Sequence, residues 1–423
     1  MKEEILTWKK GVDAGAMGRA ILDEVMLSRR HAKDPLLRVI LKPSTAGATM
    51  HDLGVGCRGE GDFFVHRLIA ELACGDSLIP PNQQDDAGAV NGGDKIIVAS
   101  IDGTHSRLSD FPFIAGFHVA RAAIRDVVVK GAKPVALIDD LHLADDGDVG
   151  KLFDFVAGIS AVSELSNVPL IAGSTLRIGG DMVIGDRMVS GVACIGIADR
   201  LLKRIDVREG DAILMTQGSG GGTIATTAIY SGNHDYVRET LNIDFITAVN
   251  ILHKNDLLSC VHAMLDVTNG GLRGDTNEVC RTAGVGILLE EKGIRSVINE
   301  HVLELLDRLE IDYLGVSLDS LVVFCPQENK DQILRAFKNG NIKAAEIGRV
   351  TKGSEVLLDG RKFSPRFRES AYTPIKKVIG ESTPSHDANL RRGAELAAQM
   401  ARNKAKMVIN YVKKNRAQGE MDI

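Results

Sequence analysis

A chain of 423 residues, 44% hydrophobic and 25% charged, has room for two or three globular domains with their own cores. A formal net charge of -5 sets up no global field for nucleic acid or an anionic membrane, and aromatic residues at 4% provide no stacking platform for single strands. The cysteines (Cys57, Cys74, Cys194, Cys260, Cys280 and Cys325) form no CxxC pair, the start MKEEILTWKK lacks an apolar signal-peptide core, and no apolar run reaches the roughly 18 residues of a spanning helix, so free thiols in a reducing cytoplasm are expected.

In chain order, residues 1–79 read as a helical and loop segment, with helical spacing in GRAILDEVMLSRR and DFFVHRLIAELA around the Gly-rich AGATMHDLGVGCRGEGD. Residues 80–205 then alternate. DKIIVASID, KPVALIDDLHL and VPLIAGST read as strands, FIAGFHVARAAIRDVVVKGA and VGKLFDFVAGISAVSEL as helices, and DMVIGDRMVSGVACIGIA as a strand pair. After the charged connector DRLLKRIDVREGD the alternation restarts over 206–365. Here AILMTQG is a strand, GSGGGTIATTAIYSG a Gly-rich turn entering a helix, and HAMLDVTNGGLRGDTNEVCRTAG a strand, turn and helix, followed by short strands in LDSLVVFCP and AEIGRV. Residues 366–423 form a basic amphipathic helical extension. Its helix starts near Thr383-Pro384-Ser385, with Leu396, Met400, Met407 and Tyr411 in one apolar stripe for packing on the body, a second subunit or a partner protein.

The chemistry-bearing residues are carboxylates. Asp85 and Asp86 are adjacent in QQDDAGAV, Asp102 ends a strand in IDGTH, Asp126 interrupts an apolar helix, and Asp266 ends a strand in MLDVTNGGL. Each has a plain alternative: Asp85 as a helix cap, Asp102 as a turn cap, Asp126 paired with Arg125 or Arg121. Taken together they suit Mg²⁺, which prefers oxygen ligands and keeps waters and phosphates in its shell. GSGGGTIA has no Lys-Ser/Thr ending and is either a phosphate nest at a helix N-terminus or a tight interdomain turn. His105 is the histidine best placed for substrate contact because it follows Asp102.

DDAGAV, IDGTH, RDVVVKGAKPVAL, VPLIAGST, GDAILMTQG, MLDVTNGGL and AEIGRV, in this order, resemble the aminoimidazole ribonucleotide (AIR) synthetase superfamily. That PurM-like group also holds selenophosphate synthetase, thiamine-monophosphate kinase and a hydrogenase-maturation dehydratase, and the likeness spans about 80–350. It implies a two-domain α/β (α+β) fold whose N-terminal sheet pairs with its copy into a dimeric β-barrel, with ATP in the cleft beside a second α+β domain. On matching positions it implies Mg²⁺ at Asp85, Asp86, Asp102, Asp126 and Asp266, and ATP contacts from Lys130 or Lys133 and from Asn269, Gly270 and Gly271. Asp102 and Asp266 are the first candidates for catalytic roles.

The sequence departs from the family pattern at several positions. Ser174 stands where several relatives carry an acidic residue, leaving Asp181 or Asp186 as substitutes, and Arg125-Asp126 replaces an Asn-Asp pair. Asn269 replaces the Asp usual in thiamine-monophosphate kinase. Cys57 has Arg58 beside it rather than the Lys of selenophosphate synthetase, and no cysteine follows Cys325, so tail-cysteine chemistry is not expected. The expectation is an ATP- and Mg²⁺-dependent phosphotransferase or synthetase acting on a small-molecule acceptor as a homodimer. The alternative is a non-catalytic nucleotide-binding paralogue whose tail engages a partner protein.

Overall fold

The computed structural model describes residues 1–73, 75–180, 183–380 and 388–421, with side chains to residue 414. Cys74, Asp181 and the expected helix start at 383–385 lie outside the described residues. Among the described residues the other cysteines are free, and no helix is long and apolar enough to cross a membrane.

Strands β1 (Gly88–Asn91), β2 (Ile96–Gly103), β3 (Lys133–Leu143), β4 (Leu170–Arg177) and β5 (Met188–Ala198) form one sheet in the order β1-β2-β5-β3-β4. Only β3 and β4 pair in parallel; the other neighbours are antiparallel. The expected strand pair in DMVIGDRMVSGVACIGIA is the single strand β5 in the described residues. Period-2 alternation sends Val98, Val192 and Cys194 inward beneath the helix Pro112–Val128, where the Ser100 hydroxyl donates to the Ala123 carbonyl (2.8 Å). The opposite face carries Ile97, Ile101, Val189 and Ile197 into solvent.

The second sheet contains β6 (Ala212–Thr216), β7 (Ala263–Asp266), β8 (Gly286–Leu289), β9 (Leu321–Cys325), β10 (Ala344–Thr351), β11 (Val356–Leu358) and β12 (Arg361–Lys362) in the order β12-β11-β8-β10-β6-β9-β7. Strands β6, β7 and β9 read as unbroken apolar runs because both of their faces are buried. One apolar cluster runs through both halves, joining Val127 and Ile124 of the first to Met264, Leu321 and Val323 of the second. The two sheets therefore share a core, and the space between them has a fixed shape.

The helix Ala388–Met421 meets the body near its start. Ala394 is buried with Leu53 and Phe64, Arg391 lies over the Phe64 ring (5.0 Å), and Arg402 pairs with Glu71 (2.5 Å). The expected stripe does not seal against the body: Leu396, Met400, Met407 and Tyr411 are all exposed.

Candidate active site

The cleft between the halves has a volume of about 410 Å³, and Asp86, Asp102 and Asp126 line it together. Asp102 reaches it from the end of β2, where it pairs with Val192 of β5. Asp126 reaches it from the last turn of the helix Pro112–Val128. From the second half come Thr268 and Asn269, which follow β7, and Gly221-Gly222-Thr223 at the start of the helix Gly222–Tyr230.

The carboxylates differ sharply in their company. Asp85 and Asp86 already have protein cations: Lys130 and Arg204 contact both, with Lys130 Nζ 3.1 Å from Asp86 Oδ2, and the Arg204 backbone N–H donates to Asp85 (3.1 Å). Arg204 also pairs with buried Glu278 (3.0 Å). Burial alone would raise the Asp86 carboxyl, but Arg204, Lys130 and Arg58 outweigh it and hold Asp86 below the usual carboxylate range. Asp266 faces Arg125 (Nε to Oδ2, 2.5 Å), and Asp319 takes both Arg125 and Arg121.

Asp102 and Asp126 sit differently. Burial raises the Asp102 carboxyl, and neighbouring Asp266 adds to the shift while Arg125 opposes it. Asp126 is pushed well above its ordinary value by burial, then by Asp102, Asp266 and Asp86, with Arg125 opposing. Among the described residues neither acid forms an ion pair with a protein cation, and Arg125 acts on both from a distance. A divalent ion fits that environment. The buried oxygen Asp266 Oδ1 has no hydrogen-bond partner, and Mg²⁺ bound through one or two carboxylates plus phosphates needs no protein cage. Among the described residues no three His, Cys, Asp or Glu side chains converge tightly enough to hold a metal alone.

The remaining predicted residues separate clearly. Lys130 is fully buried and committed to Asp85 and Asp86, whereas Lys133 stands exposed at the start of β3, where its charge acts on His253, and does not line the cleft. Asn269 lines the cleft, and its Oδ1 accepts from the Thr223 hydroxyl (2.9 Å). Gly270 (φ +85°) and Gly271 (φ +65°) are required for chain crossings: a Cβ at Gly270 would strike the Arg58 carbonyl, and one at Gly271 the Leu314 carbonyl. Ser174 lies exposed on β4, and Asp186 is held by Lys151 (2.6 Å). His105 lines the cleft, its Nε2 2.9 Å from the Tyr372 hydroxyl; burial, then Lys376, lowers it to about 4, so it is neutral at pH 7.

Sequence reading did not single out Arg204, Glu278, Asp275 or Asp319. Arg204 sits in the charged stretch taken as a connector, and Asp319 stands two residues before an apolar strand. Asp275 and Glu278 share one face of the helix Gly271–Ala283 at i,i+3 spacing, a pattern that was readable in the sequence.

Residues 84–198 match the AIR synthase related protein N-terminal domain, and 208–359 match its C-terminal domain. The chain belongs to the AIR synthase related family. An uncharacterised protein of Methanocaldococcus jannaschii, MJ1416, is 50% identical over 98% of this chain and 94% of its own length. The crystal structure of the hydrogenase maturation protein HypE in complex with ATP is similar with a TM-score of 0.53 at 20% identity, covering 73% of this chain and 89% of that one. AaThiL complexed with AMPPCP and TMP gives 0.54 at 18% identity, covering 68% and 90%.

Proposed function

We propose that the protein is an ATP- and Mg²⁺-dependent phosphotransferase or ATP-driven synthetase whose phosphates and acceptor meet in the cleft between the two AIR synthase related domains. One observation carries this reading: Asp86, Asp102 and Asp126 share a cleft, and among the described residues Asp102 and Asp126 form no ion pair with a protein cation. Mg²⁺, held by Asp102 and Asp126 with Asp86 adjacent, would offset polyphosphate charge there. Lys130 and Arg204 fix Asp86 in place, and Arg125 orients Asp266 behind it. Backbone N–H groups at Gly222 and Thr223 open a helix toward the same space, favouring an anion. Neutral His105, held by Tyr372 and by Thr226 (3.2 Å to Nδ1), presents a ring that adds no charge to the site. The test is phosphorus NMR of ATP and Mg²⁺ incubated with the protein and pools of small-molecule acceptors. Acceptor-dependent loss of the γ-phosphate signal is expected, and ATP left intact with every pool would refute turnover.

The outer face of the first sheet supports a homodimer built by pairing that face with its copy. Ile101 is 72% exposed and Val189 53%, on a face where Ile97 and Ile197 lie opposite each other in register. Ile101→Glu is expected to convert a dimer to a monomer in sedimentation analysis with the fold retained. A dimer of unchanged affinity would remove this face from consideration.

A further inference from the structure

Part of the cleft wall comes from outside the matched family regions. Gly56, Arg58, Asp62 and His66 line it, although those regions begin at residue 84 and end at 359. The buried Asp62 carboxylate accepts from the backbone N–H groups of Gly56 (2.9 Å) and Arg58 (2.8 Å), which holds Arg58 at φ +50°, a left-handed conformation that a non-glycine residue seldom adopts. A strap from the far end of the chain locks this loop. The Glu60 N–H donates to the Arg366 carbonyl (3.3 Å), and Phe367 leaves no room for a Cβ at Gly59 or Gly61. The Ser370 N–H then donates to the Gly315 carbonyl (2.9 Å), and the strap ends with buried Tyr372 on His105. MJ1416 aligns over 98% of this chain, a span wide enough to include both loop and strap.

The side chain carried by this wall is Arg58. Its Nε and Nη2 are shielded from solvent and make no hydrogen bond. The nearest carboxylates, Asp275 (3.6 Å) and Asp86 (3.9 Å), lie beyond hydrogen-bond reach. Buried guanidinium N–H groups are costly to leave unmatched, and their fork fits an oxyanion. The N-terminus of the helix Gly222–Tyr230 opens onto the same cleft.

We infer that the loop 54–62, braced by the strap 366–372, builds the acceptor half of the cleft, and that the acceptor carries an oxyanion, phosphate or carboxylate, received by Arg58. This rests on the phosphoryl-transfer reading of the cleft. The full chain would be titrated with inorganic phosphate and, separately, with acetate at constant ionic strength, following the melting temperature of wild type, Arg58→Gln and Arg58→Lys. One anion is expected to stabilise the wild type, with affinity falling roughly tenfold or more in Arg58→Gln and less in Arg58→Lys, which keeps the charge but not the fork. Which anion acts identifies the acceptor group. No response of the wild type to either anion, or equal responses in wild type and Arg58→Gln, would overturn the inference. Should Arg58→Gln fail to fold, wild-type affinity in Arg58→Lys would overturn it as well. Wild type is titrated with ATP and Mg²⁺ in parallel: an Arg58-dependent anion response without a nucleotide response would end the phosphoryl-transfer reading while the anion site stands.

Discussion

Arg204→Met is expected to lose about 3–5 kcal/mol of stability, the usual consequence of stripping the partner from buried charges. Arg204 has 1% of its side chain exposed and contacts Asp85, Asp86 and Glu278, which are equally hidden. Lys130 remains for the aspartates, but Glu278 would keep only the more distant charge of Arg58 and, among the described ion pairs, Arg281 at 3.7 Å from an exposed side chain. Against a total of about 5–15 kcal/mol for a typical domain, such a loss is large. Arg204→Lys keeps a charge but cannot span three carboxylates, so it should fall between wild type and Arg204→Met in urea unfolding. A midpoint for Arg204→Met matching wild type would show that the network adds nothing.

Asp126→Asn is expected to do the opposite and stabilise the metal-free protein, by an amount that depends on pH. The folded pKa of Asp126 is raised, so above the ordinary carboxyl value the folded state keeps a proton that the unfolded chain releases. Wild-type stability therefore falls as pH rises from about 4, by up to roughly 1.4 kcal/mol per pH unit for one such group, until Asp126 ionises in the folded state. Asparagine has no proton to release. The melting temperatures of the two proteins should coincide near pH 4 and diverge toward pH 8, with the variant higher; parallel curves across that range would contradict this account. Added Mg²⁺ should narrow the gap.

The alternation of strands and helices was legible because buried β6, β7 and β9 are short apolar runs, whereas β2 and β5 alternate. The motifs that carry the family resemblance contain Asp86, Asp102 and Asp126. The sequence could not disclose which acids already have partners. Lys130 lies 45 residues from Asp85, Arg204 another 74 beyond Lys130, and Arg125 meets Asp266 across 141 residues. Pairings over such distances are products of the fold and leave no local pattern. The same holds for the strap: SPRFRESAY has no periodicity, and its place on the Gly-rich loop depends on missing side chains at Gly59 and Gly61. The last helix carries an apolar stripe in its sequence, but such a pattern does not identify what covers it, and within one chain Leu396, Met400, Met407 and Tyr411 stay open to solvent.

Isothermal titration of a non-hydrolysable ATP analogue into wild type and Asp126→Asn, each with Mg²⁺ and with chelator, tests the central claim directly. Wild type should bind the analogue with Mg²⁺ and lose roughly tenfold or more in affinity without it, while Asp126→Asn should bind weakly and show little response to the metal. Equal affinities in all four titrations, or no binding in any, would contradict a cleft built to hold a divalent cation and its polyphosphate.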